Sequence, residues 1–391
     1  MTIEGSGEKG AARRLRLGMV GGGRGALIGA VHRIAARLDD RYELVAGALA
    51  SDPTRARDSA ADLHIAPDRA YADFAAMATA EAARPDGIDV VAIVTPNHVH
   101  HAAARAFLDA GIHVICDKPL TTTVADAEDL VSAVGRTGLL FALTHNYTGY
   151  PMVRQARAMV AEGALGAVRV VQVEYPQDWL STRLEATGQK QAEWRTDPKR
   201  GGAAGSLGDL GTHAFNIAEF VTGLRVSEIA AELTTFVAGR LLEDNAHVLL
   251  RFAGGARGAL WSSQVAPGNQ NALKLRVYGE RAGIAWEQEQ PNVLRLARLG
   301  EPPQLLTRAG PGAGPAAAHA TRIPAGHPEG YLEGFAQLYT DFAEQITARL
   351  ARRDADPACL LVPTVEDGLR GVRFVTAAVE SSGKGGTWLR L

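Results

Sequence analysis

Between residues 15 and 145, short apolar runs alternate with helical stretches, and this alternation constrains the fold more than any other feature. Residues 15–20, 42–49, 88–94, 112–116 and 139–144 read as strands. Residues 28–38, 53–63, 71–83, 100–110 and 124–137 read as helices. The runs 88–94, 112–116 and 139–144 are apolar at all but one position rather than at every second one, as in strands covered on both faces. Strands that alternate with helices predict a parallel sheet, doubly wound, with helices on both faces.

The pattern changes after Tyr150-Pro151. One helix, 153–162, precedes a series of β-rich runs at 167–175, 229–237, 245–252, 258–264, 273–279 and 283–287. Period-two patterning and short turns predict a large, mostly antiparallel sheet in an α+β unit. Helices are expected at 212–222, 331–350 and 365–379, and the Gly-, Pro- and Ala-rich stretch 300–326 reads as one long loop. Two domains follow, 14–146 and 147–391, with the last helices free to pack back on the first. Residues 1–13 are polar and Gly-rich and read as disordered, with no apolar core of a secretory leader.

A net charge of -2 leaves no basic footprint, so neither nucleic acid nor a membrane surface is expected as a partner. Cys116 and Cys359 are the only cysteines. No disulfide framework is expected, which suits a reducing, cytoplasmic setting.

Four blocks carry chemistry. The first is Gly21-Gly22-Gly23-Arg24-Gly25, between a strand and a helix. A glycine turn there lets a pyrophosphate reach the backbone and the helix N-terminus. Gly21 and Gly23 have the usual spacing. The third position is either the late Gly29, in a lengthened loop, or Ala26. At the end of the second strand lie Ser51, Asp52 and Arg55. A carboxylate there suits the ribose of NAD, while Ser51 with Arg55 suits the 2′-phosphate of NADP. Asp52 equally suits a helix N-cap, so NAD and NADP both stay open.

The second block is Thr95-Pro96-Asn97, followed by His98, His100 and His101. No Cys, Asp or Glu lies at a metal-binding spacing from them, and no metal is expected. His100 is expected to start the next helix near the cofactor. The third is Val114-Ile115-Cys116-Asp117-Lys118-Pro119. It sets a lysine at the carboxyl end of a parallel strand, where open α/β sheets bind ligands. The fourth is Asp209-x-Gly211-x-His213. If a helix begins near Asp209, both side chains share a face. A histidine beside a carboxylate suits a general base, while the aspartate alone suits a cap.

In this order and separation, the blocks resemble the Gfo/Idh/MocA family, relatives of glucose–fructose oxidoreductase and inositol dehydrogenase. The resemblance implies a Rossmann domain, then a domain on a large open sheet, and homodimers or homotetramers formed through that sheet. It implies NAD(P)-dependent hydride transfer to or from a secondary hydroxyl of a sugar or polyol. Lys118, Asp209 and His213 map onto the catalytic positions. His213 would take the hydroxyl proton, Lys118 would be a fixed cation, and Asp209 would bind a neighbouring hydroxyl or orient the base. The glycine loop with Arg24 and Ala26, Ser51, Asp52, Arg55, Thr95, Pro96, Asn97, His100, Asp117 and Lys118 would line the cofactor. Tyr147, Trp194, Arg195, His327 and Tyr331 would join the catalytic residues around the substrate.

The chain departs from the family in three places. Asp117 replaces a glutamate, residues 145–151 lack the usual basic residue, and Asn216 replaces a third acid. An NAD-dependent glycosidase acting through transient oxidation and a non-catalytic dinucleotide sensor are the alternative readings.

Overall fold

The structure, a computed structural model, describes residues 13–391. The disorder expected for residues 1–13 lies outside them except at Arg13, whose guanidinium grips both oxygens of Asp89 at 2.7 Å.

Five strands form the first sheet: β1 (Leu15–Gly21), β2 (Tyr42–Ala48), β3 (Val90–Val94), β4 (His113–Cys116) and β5 (Phe141–Leu143). All pairings are parallel, in the order β2-β1-β3-β4-β5. The helices between them are α1 (Leu27–Leu38), α2 (Pro53–Asp62), α3 (Phe74–Ala83), α4 (His100–Asp109) and α5 (Val124–Thr137). Strand β3 is buried along its whole length, as its unbroken apolar run predicts. The strand order reverses between β1 and β3, and a crevice for a ligand opens at such a switch point.

Next come α6 (Pro151–Ala161), β6 (Val168–Pro176), the short α7 (Lys190–Arg195) and α8 (Pro198–Gly201), a π-turn at Leu207–Gly211, and α9 (Thr212–Thr222). Strands β7 (Val226–Thr234), β8 (Asn245–Phe252), β9 (Arg257–Ser263), β10 (Lys274–Gly279), β11 (Ala282–Glu287), β12 (Val293–Arg298) and β13 (Gln304–Thr307) follow. Last are α10 (Pro315–His319), α11 (Tyr331–Leu350), α12 (Val365–Gly383) and β14 (Leu389–Arg390). The second sheet has nine strands, β13-β12-β11-β10-β6-β9-β8-β7-β14, antiparallel except for the β6–β9 pair.

The long loop expected over 300–326 is a correction. It contains β13 and α10, and β12 lies just before it. Three of the four β13 residues are exposed on an outer edge, so no apolar alternation marks the strand.

One face of the second sheet is covered by α6, α9 and α12, with Val171, Val173, Leu275, Val277 and Trp286 pointing into that core. The opposite face is open and carries the exposed Val170, Leu249 and Tyr278. A shallow groove of about 470 Å³ runs across it beside Trp261 and Arg276. Helix α11 returns to the first sheet. Its Phe335, Tyr339, Phe342 and Ile346 join Leu15, Leu17 and Val31 in one core. Each such side chain contributes about 1.5–3 kcal/mol by burial, so α11 is fixed against β1 and α1. Among the described residues no helix is long and apolar enough to cross a membrane.

Candidate active site

The glycine loop closes tightly on the switch point. A Cβ on Gly21, at φ +78°, would lie 2.8 Å from the carbonyl oxygen of Val94. One on Gly23 would meet the carbonyl oxygen of Leu49 at 2.7 Å. A Cβ on Gly29 would meet Gly22 Cα at 2.3 Å. Gly29 thus packs directly on the backbone of the loop, while Ala26 is the residue before α1 and makes no side-chain cap. These close approaches leave backbone rather than side chain facing the crevice, as a bound pyrophosphate requires.

At the end of β2, Asp52 caps α2 by accepting the Arg55 N–H at 2.7 Å. Arg24 is paired with Asp58 at 2.9 Å and with Asp62 at 2.5 Å. The Arg55 guanidinium bonds the Arg24 carbonyl. Ser51, Asp52 and Arg55 are all exposed. Both positive charges near the expected ribose site thus already have protein partners.

The turn after β3 is fixed from two directions. Asn97 donates its amide to the Gly201 carbonyl at 3.0 Å. His100, fully buried at the start of α4, bonds the Pro119 carbonyl at 2.8 Å and the Thr95 carbonyl at 2.9 Å. His101 faces Asp129 at 2.8 Å and His98 is exposed, so the three histidines do not converge. Thr95 and Pro96 are half-buried at the same turn.

The Lys118-Pro119 bond is cis. Lys118 is not a surface lysine. Its Nζ donates to Asp209 Oδ1 at 2.8 Å and to the Asp209 carbonyl at 2.7 Å. Asp117 accepts the Thr144 hydroxyl at 2.8 Å, and His32 Nε2 lies 3.8 Å away. Burial opposes ionisation of Asp117, but His32, Lys118 and His100 outweigh it and hold the carboxyl at about 2.

Asp209 lies in the π-turn and His213 one turn later in α9. The second Asp209 oxygen accepts from Arg195 Nε at 3.3 Å and from Gln264 at 3.2 Å. Burial would raise its pKa, but Lys118 and Arg195 hold it at about 2. His213 is buried, and its Nδ1 has no hydrogen-bond partner among the described residues. Its ring packs edge-on against Tyr147 at 4.9 Å and His145 at 5.4 Å. Burial, then Lys118 and His145, push its pKa well below the ordinary histidine value. A neutral imidazole thus stands beside a fixed ammonium–carboxylate pair.

Tyr147 bonds Tyr175 through their hydroxyls at 2.5 Å, and Tyr175 donates to Asn271 at 2.6 Å. The Arg195 guanidinium stacks on Trp194 at 4.3 Å, with Trp179 at 5.9 Å on another side. Tyr331 leads into α11 with its ring edge-on to Phe335 at 5.2 Å. Tyr331 itself is exposed, at the start of the helix rather than within the buried group around His213. His327 does not join this group. Its ring is exposed, and its carbonyl accepts from Arg308. His32, His145, Tyr175, Gln264 and Asn271 are site neighbours that no sequence motif singled out.

One cluster of metal-ligand types occurs among the described residues: His319, Asp341 and Cys359. Asp341 is already paired with the buried Arg154 at 2.6 Å and bonded by His319 and Gln337 at 2.8 Å. The Asp341 carboxylate of this cluster is therefore already engaged by both of its oxygens.

Comparisons with known proteins agree with this fold. Residues 15–145 match the oxidoreductase family NAD-binding Rossmann fold, and residues 153–285 match the GFO/IDH/MocA C-terminal domain. The chain is 34% identical over 387 residues to the uncharacterized oxidoreductase YfiI of Bacillus subtilis (strain 168), covering 98% of each protein. The crystal structure of an oxidoreductase from Sinorhizobium meliloti is 56% identical, with a TM-score of 0.89 over 97% of this chain and 100% of that one. An inositol dehydrogenase homolog from Azotobacter vinelandii, complexed with NADH and myo-inositol, is 39% identical, with a TM-score of 0.90 over 97% of this chain and 98% of that one.

Proposed function

This chain belongs to the Gfo/Idh/MocA family of NAD(P)-dependent oxidoreductases, and from that premise we propose that it interconverts a secondary hydroxyl and the corresponding ketone on a cyclitol or sugar. The observation that carries the reading is the buried Lys118–Asp209 pair at 2.8 Å beside a neutral, buried His213. Myo-inositol, bound by the Azotobacter vinelandii neighbour, is the first substrate to test.

The glycine loop, the Thr95–Asn97 turn and Asp117 would hold the dinucleotide, with NADH in that neighbour making NAD the first cofactor to test. When bound, the nicotinamide accepts hydride in one direction and supplies it in the other. His213 takes the hydroxyl proton, since its depressed pKa keeps it neutral at neutral pH. Lys118 cannot swing away, because Asp209 bonds its Nζ through both side chain and carbonyl. It stabilises the negative charge that grows on the substrate oxygen as the proton leaves. Asp209 stays ionised, fixes Lys118 and accepts from a neighbouring hydroxyl. Tyr147 and Tyr175 pack behind His213 and hold its ring in place, and the Arg195–Trp194 stack flanks Asp209.

We assign the open face of the second sheet, with exposed Val170, Leu249 and Tyr278, to a homodimer or homotetramer contact in a cytoplasmic enzyme. The function is tested by following reduced-nicotinamide absorbance with NAD⁺ or NADP⁺ over inositols, aldoses and anhydrosugars. Failure of every polyol with both cofactors, and of the matching ketones in reverse, would overturn it.

A further inference from the structure

The segment that carries Asp209 and His213 is held at its start by a residue from another part of the chain. Glu243, just before β8, accepts the Gly205 N–H at 2.7 Å through one carboxylate oxygen and the Leu207 N–H at 2.8 Å through the other. Its own carbonyl accepts the Ser206 N–H at 3.1 Å. Three successive donors at a helical start, which the helix itself cannot satisfy, therefore end on one residue. An anion at that end also suits the helix dipole. Gly205 is what allows the approach, since a Cβ there would lie 2.3 Å from the Glu243 carbonyl oxygen.

The next residue, Asp244, reaches the same site by a second route. Its carbonyl accepts the Gln264 backbone N–H at 2.8 Å, and the Gln264 amide bonds Asp209 at 3.2 Å. The Glu243-Asp244 pair thus fixes Asp209 from the helix side and from the β9 side.

We propose that Glu243 is a positioning residue for Asp209 and His213, clamping the turn from which both project. The proposal rests on the function assigned to those two residues above. Burial pushes the Glu243 carboxyl up to about 7, with Asp244 adding to the rise against the backbone donors. Around it stand Asp244, buried and bonded to Phe236 and Val237; Arg240, paired with Asp244 and Glu185; and Asp209 and His213 along the clamped segment. The double clamp is complete on the alkaline side and loses one acceptor as pH falls through that value. His213, lying well below the ordinary histidine value, stays neutral over the same interval. A loss of turnover near neutrality therefore reports on Glu243 rather than on the base.

The test compares full-length wild type with Glu243→Gln, which keeps the shape and one acceptor oxygen. Steady-state rates with a polyol that the wild type oxidises are followed from acid to alkaline pH. Backbone hydrogen exchange is followed over residues 205–213. Misplacement of a catalytic group by about 1 Å can cost up to about a hundredfold in rate. Glu243→Gln should show that loss in kcat at alkaline pH, no further fall near neutrality, an unchanged KM for the dinucleotide, and faster exchange confined to 205–213. Wild-type kcat with the wild-type pH profile, or unchanged exchange in that segment, overturns the proposal. A lowered melting temperature with unchanged kcat does so too.

If the wild type oxidises no polyol, the function fails separately, and exchange alone decides the clamp. If Glu243→Gln does not fold, wild-type exchange decides. Corrected for intrinsic rates, protection of 205–213 should fall as pH drops through neutrality, and constant protection overturns the proposal.

Discussion

Lys118 and Asp209, 91 residues apart in sequence, meet at 2.8 Å with little of either side chain exposed to solvent. The pair joins the carboxyl end of β4 to the helical turn that precedes α9, and so couples the dinucleotide-binding sheet to the second domain. Asp209 accepts from Lys118, Arg195 and Gln264 together. A buried carboxylate with two cationic partners and an amide cannot relax easily when one partner is lost.

Lys118→Ala should therefore lower kcat by about 10²–10³-fold, the usual cost of removing a preorganised donor from a developing oxyanion. Dinucleotide binding, followed by fluorescence titration, should change far less. Equal losses in binding and turnover would mean that the lysine serves the cofactor alone.

His213→Ala should abolish turnover at neutral pH while the protein remains folded by circular dichroism. The sign of its pH dependence follows from the depressed pKa. The base is neutral and active at neutrality, and it is lost only as pH falls through a value well below the ordinary one. A wild-type profile of log kcat whose lowest limb lay above the ordinary histidine pKa would assign the proton acceptor elsewhere.

Much of the fold was legible because burial writes itself into sequence. Strand β3 is apolar at every position and covered on both faces, while Val171 and Val173 alternate with outward neighbours on β6. Strand β13 was not legible: an exposed edge strand has no buried face to leave a pattern. At the site, Lys118, Asp209 and His213 carry motif signals. Arg195 was expected beside the substrate without a motif, and it reaches Asp209 from α7, while Gln264 carries no signal because its role depends on the end of β9 arriving there. Asp52 shows how one residue satisfies two readings in sequence, and the structure finds its carboxylate in a capping bond. Glu243 lies in a turn with no local pattern and acts on backbone nearly forty residues earlier, with a separation of 38 to Gly205.

Gly29→Ala should loosen the dinucleotide loop. The new methyl would overlap Gly22 Cα at 2.3 Å and its carbonyl oxygen at 2.7 Å, both backbone atoms that cannot rotate away. Forced overpacking costs about 1–3 kcal/mol, and here the strain falls on the segment that we propose meets the pyrophosphate. Calorimetric titration should show weaker NAD binding together with a lower melting temperature. Unchanged affinity would place the phosphates away from this loop.

Asp341→Asn tests the buried network that ties α11 to α6. Arg154 and Asp341 are both sealed from solvent and meet at 2.6 Å, while His319 and Gln337 share the other oxygen at 2.8 Å each. Removing the charge leaves the Arg154 guanidinium buried without a counter-ion, which costs about 3–5 kcal/mol. Burial opposes ionisation of Asp341, but His319 and Arg154 hold its pKa below the ordinary carboxylate value. The pair's contribution is therefore complete above the unfolded-state carboxyl pKa and is lost as pH falls through the folded one. Urea unfolding at neutral pH should show the full gap between wild type and variant, and the gap should narrow in acid. A constant gap across that range would mean that the substitution acts through packing rather than charge.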